Sequence, residues 1–595
     1  MYKNKINKVI TYAHNLSFHG LLIINSLNME LYQIKKYSFI ISEKNLYTFT
    51  IVDNFKKKIE FRCSHNILPF SLKSLAYNFL NIYNINPPKL FFTDTFFDSS
   101  EIVVNENDFN DNNTFKEFIK SNEGSIVEPK SWLIKYSKLN TKILYDSLLK
   151  YFNILIKVLG INIINKQIYS LASISLNLFI EEYNIENPII SINEDDSNNL
   201  RNAYFGGRNE VFSNPEQGNI IYYYDFPAFY GNILKSTYYP TGYPIYVEKP
   251  NNLKVPGFYF VKVSSNIDLP ILPYKSDDGL IFPNGIFSGL FWSEELNLFI
   301  EEGGIILDIL YGYLYLDDFI DKSKLKKFDK FILRLELLKN EGQIMSKLCK
   351  LLINSFYGKL AFKDDNSFTF FVSKEDFYNI ISKWGEEKNY SDFINYTSRS
   401  DLYSKSNFLF LTIDKSKNTI FKKLFLKKQN LKKTINNVGI SSITTSRGRI
   451  KIYKLIKMIG DNNARIHYTD TDSVYYTFNK NANFENHKKL DFIARYKDGI
   501  FIRNKLYILK DFKDNIVQKG LVSNLSNDKF TKIKNTFFNK SLKLKTVTES
   551  RNSLKFDNFY PKNKACNITI DLEGYTKRIF NEDKKSTKPI IIIEE

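Results

Sequence analysis

The sequence predicts an α+β protein made of several substructures, and three observations support this class. The chain has 595 residues, which is too many for one compact core. Short apolar strands and amphipathic helices occur in mixed order along its length. Hydrophobic residues make up 43% of the chain and aromatic residues 16%, so it can bury substantial cores. A wholly disordered protein is therefore excluded.

Charge and cysteine content narrow the class of function. Lys and Arg total 83 against 64 Asp and Glu, a formal net charge of +19. This excess indicates a polyanionic partner such as nucleic acid, although a solvated lysine surface is the alternative. The three cysteines lie far apart, which excludes a disulfide framework and a cysteine zinc site. No uninterrupted apolar stretch is long enough to span a bilayer, so no membrane partner is expected.

Residue usage suggests where the gene resides. Asn, Ile, Lys, Phe and Tyr are abundant, whereas Gly (24) and Pro (16) are sparse. The abundant residues have AT-rich codons, as in an organellar genome or a plasmid inside an organelle. The N-terminal segment lacks the Arg- and Ser-rich character of a transit peptide. We therefore expect a mitochondrial protein encoded within the organelle or on its plasmid, while AT-rich phages and cytoplasmic plasmids also fit this composition.

The predicted elements follow the chain in a definite order. The first 150 residues mix short strands and helices. The later stretches are a helix-period segment at 141–182, an Asn/Asp-rich linker at 192–199, strands and tight turns at 203–320, a periodic helix at 327–362, a polar insert at 363–435, two strands around Tyr468–Tyr476 and a final PIIIIEE edge strand or tail.

An acidic pair lies in the segment RIHYTDTDSVYY. Asp470 and Asp472 are two positions apart, so in a β-hairpin both carboxylates lie on one face at the turn. Such carboxylates repel each other unless a cation binds between them. Mg²⁺ takes oxygen ligands and leaves positions open for water and phosphate. The pair therefore predicts a metal site, with a solvent-exposed acidic turn as the alternative.

A third acid ends an apolar strand. Asp225 follows IIYYY and precedes a turn into a predicted helix. Two-metal phosphoryl transfer requires ions about 3.5–4 Å apart, and carboxylates from separate strands can supply that geometry. An N-cap aspartate is the alternative for Asp225 considered alone.

A polar helical face lies within Lys339–Leu360. Lys350, Asn354, Tyr357 and Gly358 recur at helical spacing. An ordinary amphipathic helix would repeat Leu on such a face. Lysine can neutralise triphosphate charge and tyrosine can stack on a base pair. An exposed helix with a Tyr-Gly C-cap is the alternative.

In this order and spacing, the three segments resemble motifs A, B and C of family B DNA polymerases. The resemblance is closest to the protein-primed branch of linear mitochondrial plasmids and some phages. YTDTDS matches motif C and KLLINSFYG matches motif B in full. Motif A keeps Asp225 and Tyr230 of D-x-x-S-L-Y-P, but Ala228, Phe229 and Gly231 replace its Ser, Leu and Pro.

Three shorter motifs extend the resemblance along most of residues 200–525. They are YFGGR, similar to the Y-x-G-G motif that contacts template; TSRGR, similar to T-x-x-G-R; and KLY, similar to the K-x-Y motif that holds the primer. The resemblance implies that the following residues bind DNA: Tyr204, Gly206, Gly207, Arg208, Thr445, Arg449, Lys505 and Tyr507.

The resemblance also assigns the chemistry. It implies that Asp225 and Asp472 bind two Mg²⁺ ions, with Mn²⁺ as an alternative, and that Asp470 is a third catalytic acid beside them. Template, primer, deoxynucleoside triphosphates and a terminal protein primer are the implied partners. The residues implied to bind the nucleotide are Tyr230, Lys350, Asn354 and Tyr357, helped by Lys339 or Lys347.

The N-terminal region departs from the family pattern. Family B polymerases usually carry a 3′–5′ exonuclease with four metal-binding carboxylates. In the N-x-x-[FY]-D motif His19 replaces the acid, and in the Y-x-x-x-D motif Asn140 does so. Residues 1–13 contain no acid for the D-x-E motif. Because His and Asn cannot supply the charge that holds paired Mg²⁺, we expect no proofreading.

The resemblance predicts a right-hand polymerase with palm, fingers and thumb, preceded by a degenerate ribonuclease H-like exonuclease domain. The expected domains are a truncated exonuclease-like domain at 1–150, a helical connector and linker at 151–200, palm with motif A at 201–244, an insertion like the terminal-protein-contacting region at 245–335, fingers with motif B at 336–362, a basic second insertion at 363–435, palm with motif C at 436–485, and thumb and tail at 486–595.

Competing functions fit the residues less well. A reverse transcriptase usually has adjacent aspartates in its hairpin rather than D-T-D. A metal-dependent nuclease would need the exonuclease carboxylates that are missing. A catalytically decayed polymerase remnant that only binds nucleic acid is the remaining alternative, yet it would tolerate loss of Asp225 or Asp472, and both acids are present.

Overall fold

The structure is a computed structural model of the chain. With short gaps, it describes residues 7–82, 101–104, 126–362, 435–478, 492–537 and 575–594, together with four strands at 367–373, 408–414, 542–548 and 564–570. Within these residues, no helix combines the length and hydrophobicity needed to cross a bilayer. The basic run at 422–433 lies outside the described residues.

The N-terminal unit is a four-stranded sheet followed by short helices. The strand order is β1-β4-β3-β2, and β1 runs parallel to β4. Its elements are β1 (Lys8–Ala13), β2 (Ile34–Ile41), β3 (Leu46–Asp53), β4 (Lys58–Cys63), α1 (Ser64–Ile67), α2 (Leu72–Leu75), a π-helix (Ala76–Leu80) and the paired strands β5 (Ile102–Val103) and β6 (Ile126–Val127).

Three helices connect this unit to the rest of the chain. They are α3 (Pro129–Lys157), α4 (Leu171–Glu182) and α5 (Glu194–Leu200). The expected linker at 192–199 is wrong, because most of it forms α5. The Asn193 side chain accepts a hydrogen bond from the amide of Asp196 at 2.8 Å. This cap and the three acids in the first turn complement the helix N-terminus and stabilise the helix.

The central sheet has five antiparallel strands in the order β19-β8-β18-β17-β7. The two strands predicted around Tyr468–Tyr476 are confirmed as β17 and β18. Helix α10 packs under the sheet through Ile452, Ile456 and Ile459. The elements are β7 (Asn209–Val211), β8 (Ile221–Asp225), α6 (Phe229–Ser236), α10 (Val438–Asp461), β17 (Ala464–Asp470), β18 (Ser473–Phe478) and β19 (Phe492–Tyr496).

A second five-stranded sheet is formed mainly by the segment between α6 and residue 315. Its order is β27-β13-β10-β14-β9, and β27 from the C-terminus runs parallel to β13. The predicted final edge strand is therefore confirmed. The elements are β9 (Ile245–Glu248), β10 (Gly257–Ser265), β11 (Tyr274–Ser276), β12 (Gly279–Ile281), β13 (Asn284–Trp292), α7 (Ser293–Glu301), β14 (Ile305–Leu314) and β27 (Ile591–Ile593).

The predicted helix at 327–362 is interrupted. Residues Asp329–Leu338 form α8 and Gln343–Leu360 form α9. Gly342 between them has φ +125° and ψ 170°, which no helix can contain and which glycine adopts readily. Helix α9 buries its apolar side in a core shared with α4, where Phe179 contacts Phe356 with ring centroids 5.2 Å apart.

The C-terminal third adds a small sheet, one helix and several hairpins. The sheet order is β20-β21-β22, and α11 packs on it through Phe530 and Ile533. The elements are β20 (Asp498–Arg503), β21 (Leu506–Lys510), β22 (Ile516–Lys519), α11 (Asn527–Phe537), and the pairs β15 (Ser367–Ser373) with β16 (Phe408–Asp414), β23 (Leu542–Thr548) with β24 (Lys564–Ile570), and β25 (Ile579–Phe580) with β26 (Thr587–Lys588).

Candidate active site

Asp225 and Asp472 lie together at one end of the central sheet. Asp225 is the last residue of β8 and pairs in register with Ser473, the first residue of β18. Asp472 occupies the turn just before Ser473. The amide of Phe226 donates a hydrogen bond to the carbonyl of Asp472 at 3.0 Å. This bond ties motif A to motif C directly beside the two acids.

Two strained turns position these acids. Thr471 has φ +67° and Ala228 has φ +49°, a left-handed conformation that non-glycine residues rarely adopt. The amide of Thr471 donates to the carbonyl of Arg208 at 2.8 Å. A Cβ atom on Gly207 would lie 2.6 Å from Cγ2 of Thr471. The Y-x-G-G loop therefore needs its glycine to pack against the turn of motif C.

The electrostatics of Asp225 and Asp472 favour a bound cation. Burial, the neighbouring Asp225 carboxylate and Asp470 raise the pKa of Asp472 to about 6. Burial also raises the pKa of Asp225, against the opposing effect of Lys350. Oδ1 of Asp225 is buried and has no hydrogen-bond partner. A positive charge between the acids would relieve this repulsion and satisfy the orphaned oxygen.

The two carboxylates fit Mg²⁺, which keeps water and phosphate ligands, better than they fit a metal that is fully enclosed by protein ligands. In the described part of the chain, no three His, Cys, Asp or Glu side chains converge to hold a metal ion. Two adjacent carboxylates are nevertheless a typical protein contribution for Mg²⁺, which otherwise keeps water and substrate phosphate ligands. Asp225 and Asp472 would therefore hold the ion or ions together with a bound nucleotide.

Asp470 has a different environment from the other two acids. Its side chain is 9% exposed and is surrounded by donors. Oδ1 accepts from Nδ2 of Asn209 at 2.9 Å, and Oδ2 accepts from Nζ of Lys519 at 2.8 Å. Nζ of Lys505 lies 3.5 Å from Oδ1. The charge of Asp470 is therefore already compensated by this chain's own lysines.

Helix α9 presents the predicted polar face. Lys350, Asn354 and Gly358 are exposed on it, while Tyr357 is half-buried. The opposite side of α9 carries the buried residues Met345, Leu348, Cys349, Leu352, Ile353, Phe356 and Leu360. Because Lys350 acts electrostatically on Asp225, this face of the helix borders the acid pair.

Tyr230 joins α6 to the same face of α9. The ring centroids of Tyr230 and Tyr357 are 4.5 Å apart. Burial raises the pKa of Tyr230 to about 12, with further effects from Arg449 and Asp472. Tyr204 lies near enough to affect both tyrosines electrostatically. Tyr230 and Tyr357, two of the predicted site residues, thus form one aromatic pair beside the acids.

The two additional lysines occupy other places. Lys347 is exposed on α9, and its Nζ donates to Oδ1 of Asn78 in the N-terminal unit at 3.0 Å. Lys339 lies in the short 3₁₀ helix before Gly342. The structure therefore brings Lys350 to the acids, but holds Lys347 against the π-helix.

The arginines of the short motifs are buried and ion-paired. Arg208 Nε donates to Glu210 at 2.7 Å, and its side chain is 1% exposed. Arg449 binds Glu295 with two hydrogen bonds of 2.7 Å and also donates to the carbonyls of Phe205 and Gly206. Both guanidinium groups therefore point into the protein, and contact of Arg208 and Arg449 with DNA stays a prediction.

The other residues predicted to bind DNA fall into a buried group and an exposed group. Thr445 is 3% exposed, and its hydroxyl donates to the carbonyl of Ser442 within α10, while its contact with DNA stays a prediction. Tyr507 is largely buried, and its hydroxyl accepts from Tyr475 at 3.0 Å. Lys505 is 64% exposed, and a Cβ atom on Gly206 would meet nothing within 4 Å. Lys505 and Gly206 therefore border open space.

The degenerate exonuclease positions lie in the N-terminal unit. His19 is exposed in a short helical turn just after β1, and its amide donates to the carbonyl of Asn15 at 3.2 Å. Asn140 is half-buried on α3, and its Oδ1 is buried without a hydrogen-bond partner. Neither position supplies a carboxylate.

Sequence reasoning missed four residues that organise the site. Glu210 and Glu295 hold the motif arginines, and Asn209 and Lys519 hold Asp470. Asn209 and Glu210 directly follow the YFGGR motif, so their adjacency was an available signal. Glu295 and Lys519 lie in segments without a recognisable motif, and only the fold brings them to the site.

A family model described as DNA polymerase type B, organellar and viral, matches residues 1–462 of this chain. The chain belongs to the organellar and viral type B DNA polymerases. This confirms the family predicted from the motifs.

Several curated proteins are similar in sequence, and each is named a probable DNA polymerase. The protein from Podospora anserina is 28% identical over 436 residues, covering 69% of this chain and 35% of the relative. The one from Neurospora intermedia is 28% identical over 410 residues, covering 62% and 40%. The one from Agaricus bitorquis is 27% identical over 566 residues, covering 89% and 68%. This chain thus spans only about a third to two fifths of the first two relatives.

Solved structures of phi29 DNA polymerase share the fold of this type B chain. The complex with primer-template DNA and incoming nucleotides has a TM-score of 0.60 and 17% identity, covering 91% of this chain and 89% of that one. The complex with single-stranded DNA has a TM-score of 0.57 and covers 88% and 86%. This likeness confirms the predicted α+β right-hand polymerase fold.

Proposed function

We propose that this chain is a DNA-directed DNA polymerase that adds deoxynucleotides to a primer 3′ hydroxyl by a two-metal mechanism. The observation that carries the proposal is the meeting of Asp225 and Asp472 beside the polar face of α9. Carboxylates from two strands and a lysine-bearing helix are the parts that phosphoryl transfer requires. Family membership adds independent support.

The roles of the chain's own residues follow from their positions. Bound to Asp225 and Asp472, Mg²⁺, or Mn²⁺ as a substitute, would activate the primer hydroxyl and stabilise charge on the departing pyrophosphate. Lys350 neutralises triphosphate charge, and Asn354 lies one turn further along the same exposed face. Tyr230 closes over the sugar and excludes a 2′-hydroxyl, while Tyr357 packs on the nascent base pair. Their contact with each other fixes the position of both rings.

The proposal extends to the domains and partners. We assign the palm to the central sheet, the fingers to α9 and the thumb to the segment after residue 486. The sheet of β9–β14 would contact a terminal protein that supplies the priming hydroxyl. Because His19 and Asn140 offer no metal-binding charge, the N-terminal unit guides single-stranded DNA without proofreading. The organellar and viral family supports replication of a linear plasmid or organellar DNA in the mitochondrion.

Primer extension tests the enzymatic proposal. Soluble protein with Mg²⁺ and all four deoxynucleotides should extend a singly primed template. The Asp472→Asn variant should lose several orders of magnitude in rate, because it removes a metal-binding carboxylate. Folded wild-type protein that binds the template but never extends the primer would contradict the proposal.

A second reaction tests the absence of proofreading. A mismatched 3′ end without deoxynucleotides should remain intact. The double variant His19→Asp/Asn140→Asp is a matched control, because it restores two of the missing charges. Shortening of the mismatched primer by the wild-type protein would contradict the proposal.

A further inference from the structure

Asp470 is held by lysines from a neighbouring sheet. It ends β17, while Lys519 ends β22 and pairs in register with Tyr507 of β21. The 2.8 Å bond between Lys519 and Asp470 therefore joins the small β20–β22 sheet to the strand that leads into the motif C turn. Lys505 approaches the same carboxylate from the β20–β21 turn.

The backbone around these lysines is built for close approach. Lys505 has φ +55°, and Gly520 has φ +80°. A Cβ atom on Gly520 would lie 2.5 Å from the carbonyl oxygen of Lys505, so only glycine allows the chain to turn here. This turn places Lys519 and Lys505 side by side next to Asp470.

The charges of this cluster do not balance. Lys505 and Lys519 contribute two positive charges, and both interact with the single carboxylate of Asp470. The two lysine side chains remain 64% and 46% exposed, whereas Asp470 is 9% exposed. The two partly exposed ammonium groups therefore face solvent, where a phosphate can meet them.

We propose that Lys519 is a positioning residue that contacts a phosphate near the primer 3′ end, and that Asp470 acts as the counter-ion that aims Lys519 and Lys505 at it. This inference rests on the proposed polymerase function, and it gives Asp470, the implied third catalytic acid, the role of positioning lysines. The ligand is a phosphodiester of a primer strand. Lysine binds such a group as a point charge through its ammonium.

Binding measurements on Lys519→Ala test the proposal without requiring catalysis. The affinity for primer-template DNA should fall about three- to tenfold, and the slope of log affinity against log salt should decrease by about 1, as for one lost phosphate contact. Lys519→Arg should restore both, because it keeps the charge. Lys513→Ala is the matched control, since Lys513 is an exposed lysine on the β21–β22 turn.

Several outcomes would overturn the proposal. If Lys519→Ala and Lys513→Ala bind primer-template DNA with equal affinity and equal salt slope, Lys519 does not contact a phosphate. If Lys519→Ala does not fold, Lys519→Gln replaces it and must show the same loss of slope. A rescue by Lys519→Gln as complete as that by Lys519→Arg would show that charge is not required.

Asp470→Asn tests the counter-ion role. Extension should slow about tenfold or more while the Mg²⁺ concentration for half-maximal rate stays unchanged. A raised Mg²⁺ requirement would identify Asp470 as a metal ligand and overturn its positioning role. If the wild-type protein binds primer-template DNA but extends none, the polymerase function fails while the Lys519 binding result still stands or falls by itself.

Discussion

Ala228 adopts a left-handed backbone conformation with φ +49° directly before α6. An alanine in this conformation costs about 1–2 kcal/mol, because its Cβ crowds the backbone. The residue lies three positions after Asp225, so the strain is stored where the chain turns away from the acid pair.

Replacing Ala228 by glycine should therefore stabilise the protein. We expect Ala228→Gly to raise the free energy of unfolding by about 0.5–1 kcal/mol, since glycine tolerates positive φ. Urea denaturation measures the change. Ala361→Gly is the control, because Ala361 has φ −87° and should lose stability. Equal losses in both variants would show that position 228 carries no strain.

His467 is a buried neutral histidine in β17. Its Nδ1 lies 2.8 Å from Oγ of Ser213, whose hydroxyl donates to the carbonyl of Ile466, so Nδ1 carries the proton. Nε2 then accepts from Thr477 at 3.0 Å. Burial and the charge of Arg465 lower the pKa of His467 from 6.5 to about 3.

The lowered pKa of His467 makes the folded protein less stable at acidic pH. Between about pH 3 and 6.5 the unfolded chain binds a proton at His467 and the folded chain does not, so acidification lowers stability. At pH 5 the penalty is about 2 kcal/mol. The stability gap between wild type and His467→Gln should therefore narrow by this amount from pH 7.5 to pH 5 in urea titrations. An unchanged gap would show that the pKa of His467 is the same in the folded and unfolded chains.

At the scale of elements, α9 and α10 each contain a glycine beside open space, but only the one in α9 lies near the acids. A Cβ atom on Gly358 of α9 or on Gly460 of α10 would meet nothing within 4 Å. Gly358 belongs to the face that borders the acids, whereas Gly460 is near the end of the helix beneath the sheet. Open space beside Gly358 suits the approach of a ligand.

Alanine substitutions separate stability from function at these two positions. Gly358→Ala and Gly460→Ala should each stabilise the protein by about 0.5–1 kcal/mol, because alanine is the better helix former. Only Gly358→Ala should slow primer extension, since its methyl group occupies space next to the base pair. Thermal unfolding and extension rates measure both effects. Equal extension by the two variants would place the nascent base pair elsewhere.

Much of the site could be predicted from sequence because its acids lie in local patterns. The D-T-D pair, the strand-ending Asp225 and the face of α9 depend only on spacing along the chain. The interruption at Gly342 and the helix capped by Asn193 were local signals that helical periodicity and composition obscured. Burial of Arg449 could not be predicted, because only long-range packing brings its partner Glu295 to it, whereas Glu210 lies two positions from Arg208.

At the scale of the whole molecule, the C-terminal segment joins the two large sheets. Thr587 Oγ1 donates to the carbonyl of Val211 at 2.8 Å, and the Tyr575 hydroxyl accepts from the amide of Val211 at 2.8 Å. Further along, β27 pairs with β13, and Ile592 packs into the core of the second sheet. The last described residues therefore contact the edge of the central sheet and extend the second sheet.

Two neighbouring isoleucines test the contribution of β27. Ile592→Ala should cost about 1–2 kcal/mol, because Ile592 is partly buried. Ile593→Ala should stay within about 0.5 kcal/mol, since Ile593 is 76% exposed. Chemical denaturation measures the loss of unfolding free energy in both variants. Similar losses would mean that β27 contributes through its backbone pairing alone.

The attachment of residues 575–587 to β7 also governs when the catalytic sheet can form during translation. β7 carries Asn209, which binds Asp470, yet β7 itself is fastened by residues more than 360 positions later in the chain. On the ribosome, the edge of this sheet cannot be completed until residues 575–587 have emerged. Pairing across such a sequence separation is slow. A ribosome-bound chain should therefore acquire ordered N-terminal helices well before it acquires a competent acid pair.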